Sequence, residues 1–434
     1  MDKMADVLGR AGAWCGQNKY LSAIKNAFQN FMPLTIAGAI GVLWCNVLVN
    51  DQTGLGLFFK PIMALDFLNP AFQAVNFCTI SCITVGITLG IAQEIGVWNM
   101  GAEKAGYIPG LVGLAAWLSV TNTSHMVEGA KEAFTGIAGN ELGATGLFTG
   151  MIIGVLSVEL FCFFEKQDAL KIKMPEQVPP GVARAFEVLV PATITLIITA
   201  CIGSACYNLT GLYLNDVIKN GIQGPLGAVG ATIPGVMIIY LVIMLFWLVG
   251  IHGNNMLSAV KEALFTPLAL ENVEKFNKGE KPTNIINMYA LQMCGEFGGS
   301  GVTIGLVIAI MIFGKREDNK AIATLSLVPG LFNINETVTF GIPMVLNPIL
   351  GIPFVVAPLV TIIIGYVLTV IGFCPVACLT VPWTTPPIVF GFLACGANVM
   401  GAVTQAILIV VSTVIYVPFL ISYEKYQNKQ AAEA

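Results

Sequence analysis

Long charge-free runs alternate with short polar ones along the chain. The uncharged intervals are Asn26–Asn50, Phe67–Gln93, Ala105–Val127, Leu142–Val158, Val188–Asn215, Asn220–Val260 and Phe297–Gly314. A bilayer-spanning helix needs about 20 mostly apolar residues, and most of these intervals hold one. From Ala321 to Tyr423 a single charged side chain, Glu336, occurs in 103 residues, and that tract has room for further spans. The pattern predicts an all-α polytopic membrane protein with about ten transmembrane helices. Two segments rich in glycine, proline and asparagine break it and read as re-entrant hairpins. They are Met293-Cys294-Gly295-Glu296-Phe297-Gly298-Gly299-Ser300-Gly301 and the run from Pro329 to Pro343 around Glu336. Broken backbone at membrane depth is tolerated only inside protein or beside water.

Composition removes the soluble alternatives. The chain is 56% hydrophobic and 11% charged, with mean hydropathy +0.79, where a soluble domain carries about 25% charged residues. Nothing in it suggests a nucleic-acid partner. Orientation follows the placement of Lys and Arg rather than the net charge. Basic residues cluster at Lys3–Lys25, Lys166–Arg184, Lys261–Lys281, Lys315–Lys320, Lys425 and Lys429, whereas Asp51–Pro70, Asn122–Glu141 and Asn208–Gly224 carry only Lys60, Lys131 and Lys219. The basic clusters are therefore expected in the cytoplasm with both termini, which requires an even number of spans. Met1–Asn26 lacks the apolar core of a secretory signal and reads as an amphipathic lead-in along the membrane. Ten of the eleven cysteines, all but Cys15, lie in apolar or small-residue context, and the helically spaced pairs Cys78/Cys82 and Cys374/Cys378 have no His or acid ligands near them, so they read as small hydrophobes rather than metal ligands. No metal and no bound cofactor are expected.

A change of character falls at Glu165–Glu187, which is polar and ends in prolines that stop a helix. It divides the chain into an N-terminal membrane half, 1–185, and a C-terminal half, 186–434. Glu271–Asn287 reads as a second cytoplasmic loop. Both hairpins lie in the C-terminal half, so the site is expected there. No internal repeat is visible.

Glu336 is the leading candidate, because a carboxylate at membrane depth costs several kcal/mol unless it faces a cavity or a partner. Asn333 and Asn335 add polar groups to its broken segment. His252 ends the apolar run that begins at Met237 and is followed by Gly253-Asn254-Asn255. It is either a structurally satisfied group at a helix end or a site residue. With Glu336, Asn335 and Asn255 it would offer donors and acceptors suited to sugar hydroxyls. Gly299 and Ser300 lie where glycines let backbone approach a ligand closely. Trp247 and Trp383 are either flat apolar surfaces for a sugar ring or interfacial anchors. Gln93 and Glu94, closing the second apolar tract, either reach the cavity or sit at the interface. Glu159 and Glu165 are assigned to the cytoplasmic boundary, and His125 beside Glu128 to a solvated outer loop.

Four segments resemble the membrane (IIC) component of the bacterial phosphotransferase system, lactose/cellobiose/N,N'-diacetylchitobiose family. They are His252-Gly253-Asn254-Asn255, Gly298-Gly299-Ser300-Gly301, Pro329-Gly330-Leu331-Phe332-Asn333-Ile334-Asn335-Glu336, and Thr384-Thr385-Pro386-Pro387 with Gly391-Phe392. The linker Lys173–Pro180 is also similar, and the resemblance runs essentially end to end. It implies a homodimer of ten-span protomers in a bacterial cell membrane, with an N-terminal dimerisation half and a C-terminal transport half. It implies a disaccharide substrate whose 6-hydroxyl is phosphorylated by a phosphocysteine on a IIB protein, with His252 and Glu336 at that hydroxyl. Asn254, Asn255, Gly299, Ser300, Asn333, Asn335, Trp247, Trp383, Gln93 and Glu94 are the expected substrate contacts. The family commonly follows Asn-Glu with proline, where this chain has Thr337. Because the chain ends at Ala434 after its last apolar tract, the phosphocysteine donor is expected to be a separate polypeptide.

The alternative to phosphorylation-coupled transport is an ion-coupled secondary sugar transporter with Glu336 as proton relay, since an acid on a broken helix suits both. A third reading is a receptor or channel that does not transport. Cellobiose, chitobiose, lactose and aryl-β-glucosides all fit the sugar site equally at this level.

Overall fold

The computed structural model describes residues 14, 17–51, 55–57, 59–125, 134–175, 177–342, 344 and 347–433. Most of the expected amphipathic lead-in, Glu128, Glu176 and Pro343 lie outside them. Apart from a two-residue ribbon, Ser124–His125 against Phe134–Thr135, the regular structure described is helical. Six helical stretches are long and apolar enough to cross a membrane: Lys19–Leu48, Lys60–Met100, Ala144–Glu165, Pro180–Thr210, Gly351–Val370 and Val399–Glu433. A bent pair, Met288–Val302 with Ile304–Phe313, makes a seventh if it counts as one span.

The architecture is all-α as expected, while the number of spans by length and composition is six or seven among the described residues, against the ten read from the intervals. The reason is local. The longest helices within the intervals Ala105–Val127 and Asn220–Val260 are Ile108–Val120 and Ile233–Leu248, short of a full span, and the tract after Lys320 is interrupted before Glu336.

The chain forms two compact units. One comprises Gln17–Gly38 and Ala74–Gly227, with α1 (Lys19–Leu43, of which residues to Gly38 belong here), α2 (Ile83–Met100), α3 (Ile108–Val120), α4 (Ala144–Glu165) and α5 (Pro180–Thr210). Helix α2 packs on α3 and α4, and α5 covers both of those. Small residues let the backbones close up, as is common where lipid supplies no hydrophobic drive. A Cβ at Gly113 would lie 2.3 Å from that of Ala92, and one at Gly150 2.2 Å from Thr88 Oγ1. The core cluster is Ala116, Trp117, Val120 and Ile153. His125 is part-buried rather than solvated: its Nε2 lies 3.2 Å from Asn122 O and its ring 5.6 Å from Phe134.

Proline at its first position starts α5, and α5 packs on α3 and α4. Its 31 residues therefore belong with the N-terminal helices. The two units divide at 227/228, and 39–73 group with the later residues. Glu165, placed by the sequence at a boundary, is buried to 1% and held by Lys104 Nζ at 2.9 Å and Arg184 NH1 at 3.0 Å. Glu159 pairs with Lys19 at 2.7 Å.

The other unit comprises Ala39–Gln73 and Ala228–Ala434. Its later helices are α6 (Ile233–Leu248), α7 (Gly253–Met256), α8 (Ser258–Asn277), α9 (Met288–Gly295), α10 (Ile304–Phe313), α11 (Glu317–Leu331), α12 (Glu336–Gly341), α13 (Gly351–Val370), α14 (Val389–Ala394) and α15 (Val399–Glu433). Helix α15 packs along α10, α13 and α14, and α13 packs on α6 and α9. Asn272 closes the polar loop between α8 and α9. Its Nδ2 donates to Asn284 O and Ala377 O, and its Oδ1 accepts from the Thr283 and Asn284 N–H groups. Asn287 then caps α9 through the Tyr289 and Ala290 N–H groups.

Replacing Glu165 by Ala removes one of the two carboxylates that hold the Arg184 guanidinium and leaves it Glu187 at 2.7 Å. The expected loss is about 1 kcal/mol, because Lys104 can turn to solvent and Arg184 keeps one partner. A thermal melt of the detergent-purified variant should show a lowered Tm; an unchanged Tm would mean that this carboxylate is not a stabilising partner.

Candidate functional site

The site forms where two helix breaks of the second unit meet. After α6, Gly250 (φ +81) turns the chain and His252 becomes the N-cap of α7. The His252 Nδ1 accepts the Asn255 N–H at 3.3 Å. A neutral imidazole so engaged carries its proton on Nε2. Behind it lies Trp247, 2% exposed, with ring centroids 4.4 Å apart, and Phe354 meets Trp247 edge-on at 6.4 Å. Trp247 therefore holds the imidazole in place rather than presenting an open face.

The second break follows α11. Turn hydrogen bonds from Phe332 and Ile334 to Pro329 O and from Asn333 to Gly330 O end the helix, with Asn333 left-handed at φ +63. Asparagine is among the few side chains that tolerate this region. The chain then restarts as α12, with Glu336 its first residue. Thr337 occupies the second position of that helix, so the helix starts without the family's proline. A glutamate in a first turn is favoured by the exposed N–H groups there.

Asparagine side chains join each of these breaks to a third, the glycine turn that follows α9. Asn333 Oδ1 accepts the Gly298 N–H at 2.6 Å, and its Nδ2 donates to Trp383 O at 2.5 Å and Thr385 O at 3.1 Å. Asn335 Nδ2 donates to Ser300 O at 2.8 Å. Asn254 Nδ2 donates to Ser300 Oγ at 3.2 Å, while its Oδ1 has no partner among the described residues. Gly299 sits at φ +88, and a Cβ there would lie 2.6 Å from Asn335 Cβ.

This stitching places His252 Nε2 at 3.8 Å from Glu336 Oε1, with both side chains partly open (37% and 47% exposed). The separation is too long for a hydrogen bond. An oxygen seated about 2.8 Å from each would accept from the imidazole and donate to the carboxylate. The geometry suits a hydroxyl group.

Of the residues expected at the site, His252, Asn254, Asn255, Gly299, Ser300, Asn333, Asn335, Glu336, Trp247 and Trp383 are linked by these contacts. Trp383 is 44% exposed and keeps a face free. Gln93 and Glu94 belong to the other unit and are engaged inside it. The Gln93 amide bridges Gly106 O at 2.5 Å and the Gly110 N–H at 3.2 Å, and Glu94 accepts from Asn26 at 2.9 Å.

Sequence reasoning missed an ion pair behind the site. Lys261 of α8, read as part of a cytoplasmic basic cluster, is buried and paired with Glu296, which also accepts the Tyr240 hydroxyl at 2.7 Å. A signal was available: Glu296 is the one charged residue between Lys281 and Lys315, as isolated as Glu336.

A family model described as "Phosphotransferase system, EIIC" matches residues 25–358. The PTS system oligo-beta-mannoside-specific EIIC component of Bacillus subtilis (strain 168) is 33% identical over 429 residues, covering 98% of this chain and 94% of that one. The PTS system cellobiose-specific EIIC component of Lactococcus lactis subsp. lactis (strain IL1403) is 30% identical over 486 residues, covering 98% of both. The crystal structure of the transporter ChbC, the IIC component from the N,N'-diacetylchitobiose-specific phosphotransferase system, matches with TM-score 0.88 at 29% identity over 97% of each chain.

Gly299 and Gly372 separate backbone strain from close approach, since Gly372 has φ +78 and open space around it. Gly372→Ala should cost about 1 kcal/mol. Gly299→Ala should cost about 1–3 kcal/mol more, because the Asn335 contact must give way. Equal Tm shifts for the two variants would contradict the close packing described.

Proposed function

The chain belongs to the phosphotransferase system EIIC family and is an integral membrane permease for sugar transport; we propose that it carries a β-linked disaccharide and presents its 6-hydroxyl to a phosphocysteine on a separate IIB protein. The observation that carries this reading is the gap between His252 Nε2 and Glu336 Oε1, 3.8 Å wide and partly open. A hydroxyl seated there loses its proton to Glu336 as its oxygen attacks the phosphorus. The S–P bond of the phosphocysteine breaks as the O–P bond forms, and the His252 N–H donates to the oxygen as charge develops on it. The exposed face of Trp383 offers an apolar surface for a sugar ring, and the unpartnered Oδ1 of Asn254 offers an acceptor for a further hydroxyl.

The similar proteins support the sugar class. Their names specify oligo-β-mannoside, cellobiose and N,N'-diacetylchitobiose, all β-linked. The remaining parts of the proposal are a homodimer in a bacterial cell membrane and both termini in the cytoplasm. Within it the C-terminal half, 186–434, carries the sugar and the N-terminal half, 1–185, provides the scaffold and the dimer contact. No bound cofactor is needed, because the phosphoryl group arrives on IIB.

Reconstituted vesicles supplied with labelled cellobiose or N,N'-diacetylchitobiose test the coupling. Sugar should appear inside as the 6-phosphate only when phosphorylated IIB protein is present. Accumulation of unmodified sugar without IIB, collapsed by an uncoupler, would instead establish ion coupling.

In the same vesicles Glu336→Gln should lower phosphorylation by about 100-fold or more, the range for losing a positioned base. Sugar affinity should fall much less, because the amide still accepts a hydrogen bond. Phosphorylation at the wild-type rate would remove Glu336 from the chemistry.

A further inference from the structure

The buried pair Lys261–Glu296 joins the two chain segments that carry His252 and Glu336. Lys261 stands on the first turn of α8, which follows the α7 turn capped by His252. Glu296 begins the turn after α9, where its carbonyl accepts the Gly299 N–H at 3.0 Å. That turn then holds the Glu336 segment. The Gly298 N–H binds Asn333, Gly299 packs against Asn335, and Ser300 O accepts from Asn335. Any shift of Glu296 is thus handed through one short turn to the residue before Glu336. Any shift of Lys261 is handed through α7 to His252.

The pair is well enclosed. The side chains are 7% and 16% exposed, and Tyr240 of α6 donates its hydroxyl to the same Glu296 oxygen, 2.7 Å away. The ammonium also lies 5.6 Å from the Tyr240 ring centroid. A buried ion pair is weak evidence for stability but a strong geometric constraint, because neither charge can leave without stranding the other.

Resting on the phosphorylation reading above, we infer that Lys261, Glu296 and Tyr240 are positioning residues that set the His252–Glu336 separation and thereby the rate of phosphoryl transfer. None of the three touches the open gap. Their effect should fall on the chemical step, which depends on sub-ångström placement, more than on sugar binding, which is spread over many contacts.

The experiment uses the full chain in lipid nanodiscs with phosphorylated IIB protein and whichever of cellobiose or N,N'-diacetylchitobiose the wild type phosphorylates. Sugar affinity is measured by isothermal titration without IIB. Lys261→Met and Glu296→Gln should each lower the phosphorylation rate at saturating sugar by about 30-fold, as expected when one partner of a buried pair is left alone. The Kd for sugar should move less than about threefold. The double variant should recover about fivefold over the worse single, and Lys261→Arg should retain most of the rate.

Tyr240→Phe serves if the singles fail to fold, because it strands no charge; it should lower the rate by about threefold with Kd unchanged. Folded variants that turn over at the wild-type rate, or a Tyr240→Phe protein indistinguishable from wild type, would overturn the inference. So would rate and affinity falling together. A wild type that phosphorylates no disaccharide would fail the functional reading instead, and the two failures are distinct.

Discussion

An interrupted helix in an apolar environment frees backbone N–H and C=O groups that water cannot reach, and each must find a partner inside the protein. Two such interruptions, after α9 and after α11, are built side by side in the later unit. Turn hydrogen bonds close the second, and its Asn333 and Asn335 reach across to groups of the first. One asparagine takes an N–H of the first break and gives its amide to two carbonyls of the segment carrying Trp383; the other gives its amide to Ser300 O. The site follows from this stitching. With the breaks closed against each other, the Glu336 carboxylate lies 3.8 Å from the His252 imidazole.

Much of this was legible in the chain. Isolation of charge located Glu336, and the glycine, proline and asparagine runs located both breaks, because those residues have few other reasons to interrupt apolar tracts. His252 stayed ambiguous because its role depends on which ring nitrogen is engaged. The Asn255 N–H at Nδ1 decides that, and a sequence does not display it. Helix lengths were harder. A charge-free interval bounds where a span can lie but does not say where its helix ends, so Ala105–Val127 holds a helix of only 13 residues. The unit border was also illegible. A polar, proline-ended linker resembles a boundary, yet α5 returns to pack on α3 and α4, and only the packing reveals that.

Trp247 illustrates a further limit. Its type and spacing allowed a sugar platform or an interfacial anchor. At 2% exposure, with the imidazole ring tilted against it, it instead backs His252. Trp383, equally ambiguous by sequence, is 44% exposed. Its position is held by its own carbonyl through Asn333, which leaves the indole free. Two tryptophans of the same apparent promise thus divide into a support and a surface.

The same division separates the two isolated acids. By sequence Glu296 and Glu336 are alike: each is the lone charge in an apolar tract beside glycines and a helix break. Their surroundings differ in what they leave unspent. Glu296 is 16% exposed and committed through one oxygen to both Lys261 and Tyr240. Such a carboxylate has little room for a substrate hydroxyl. Glu336 is half open and faces an imidazole across a distance too long to be a bond. That spacing leaves room beside the carboxylate for a hydroxyl donor. Pairing ties the one acid to α6 and α8, and the lack of it leaves the other's carboxylate open.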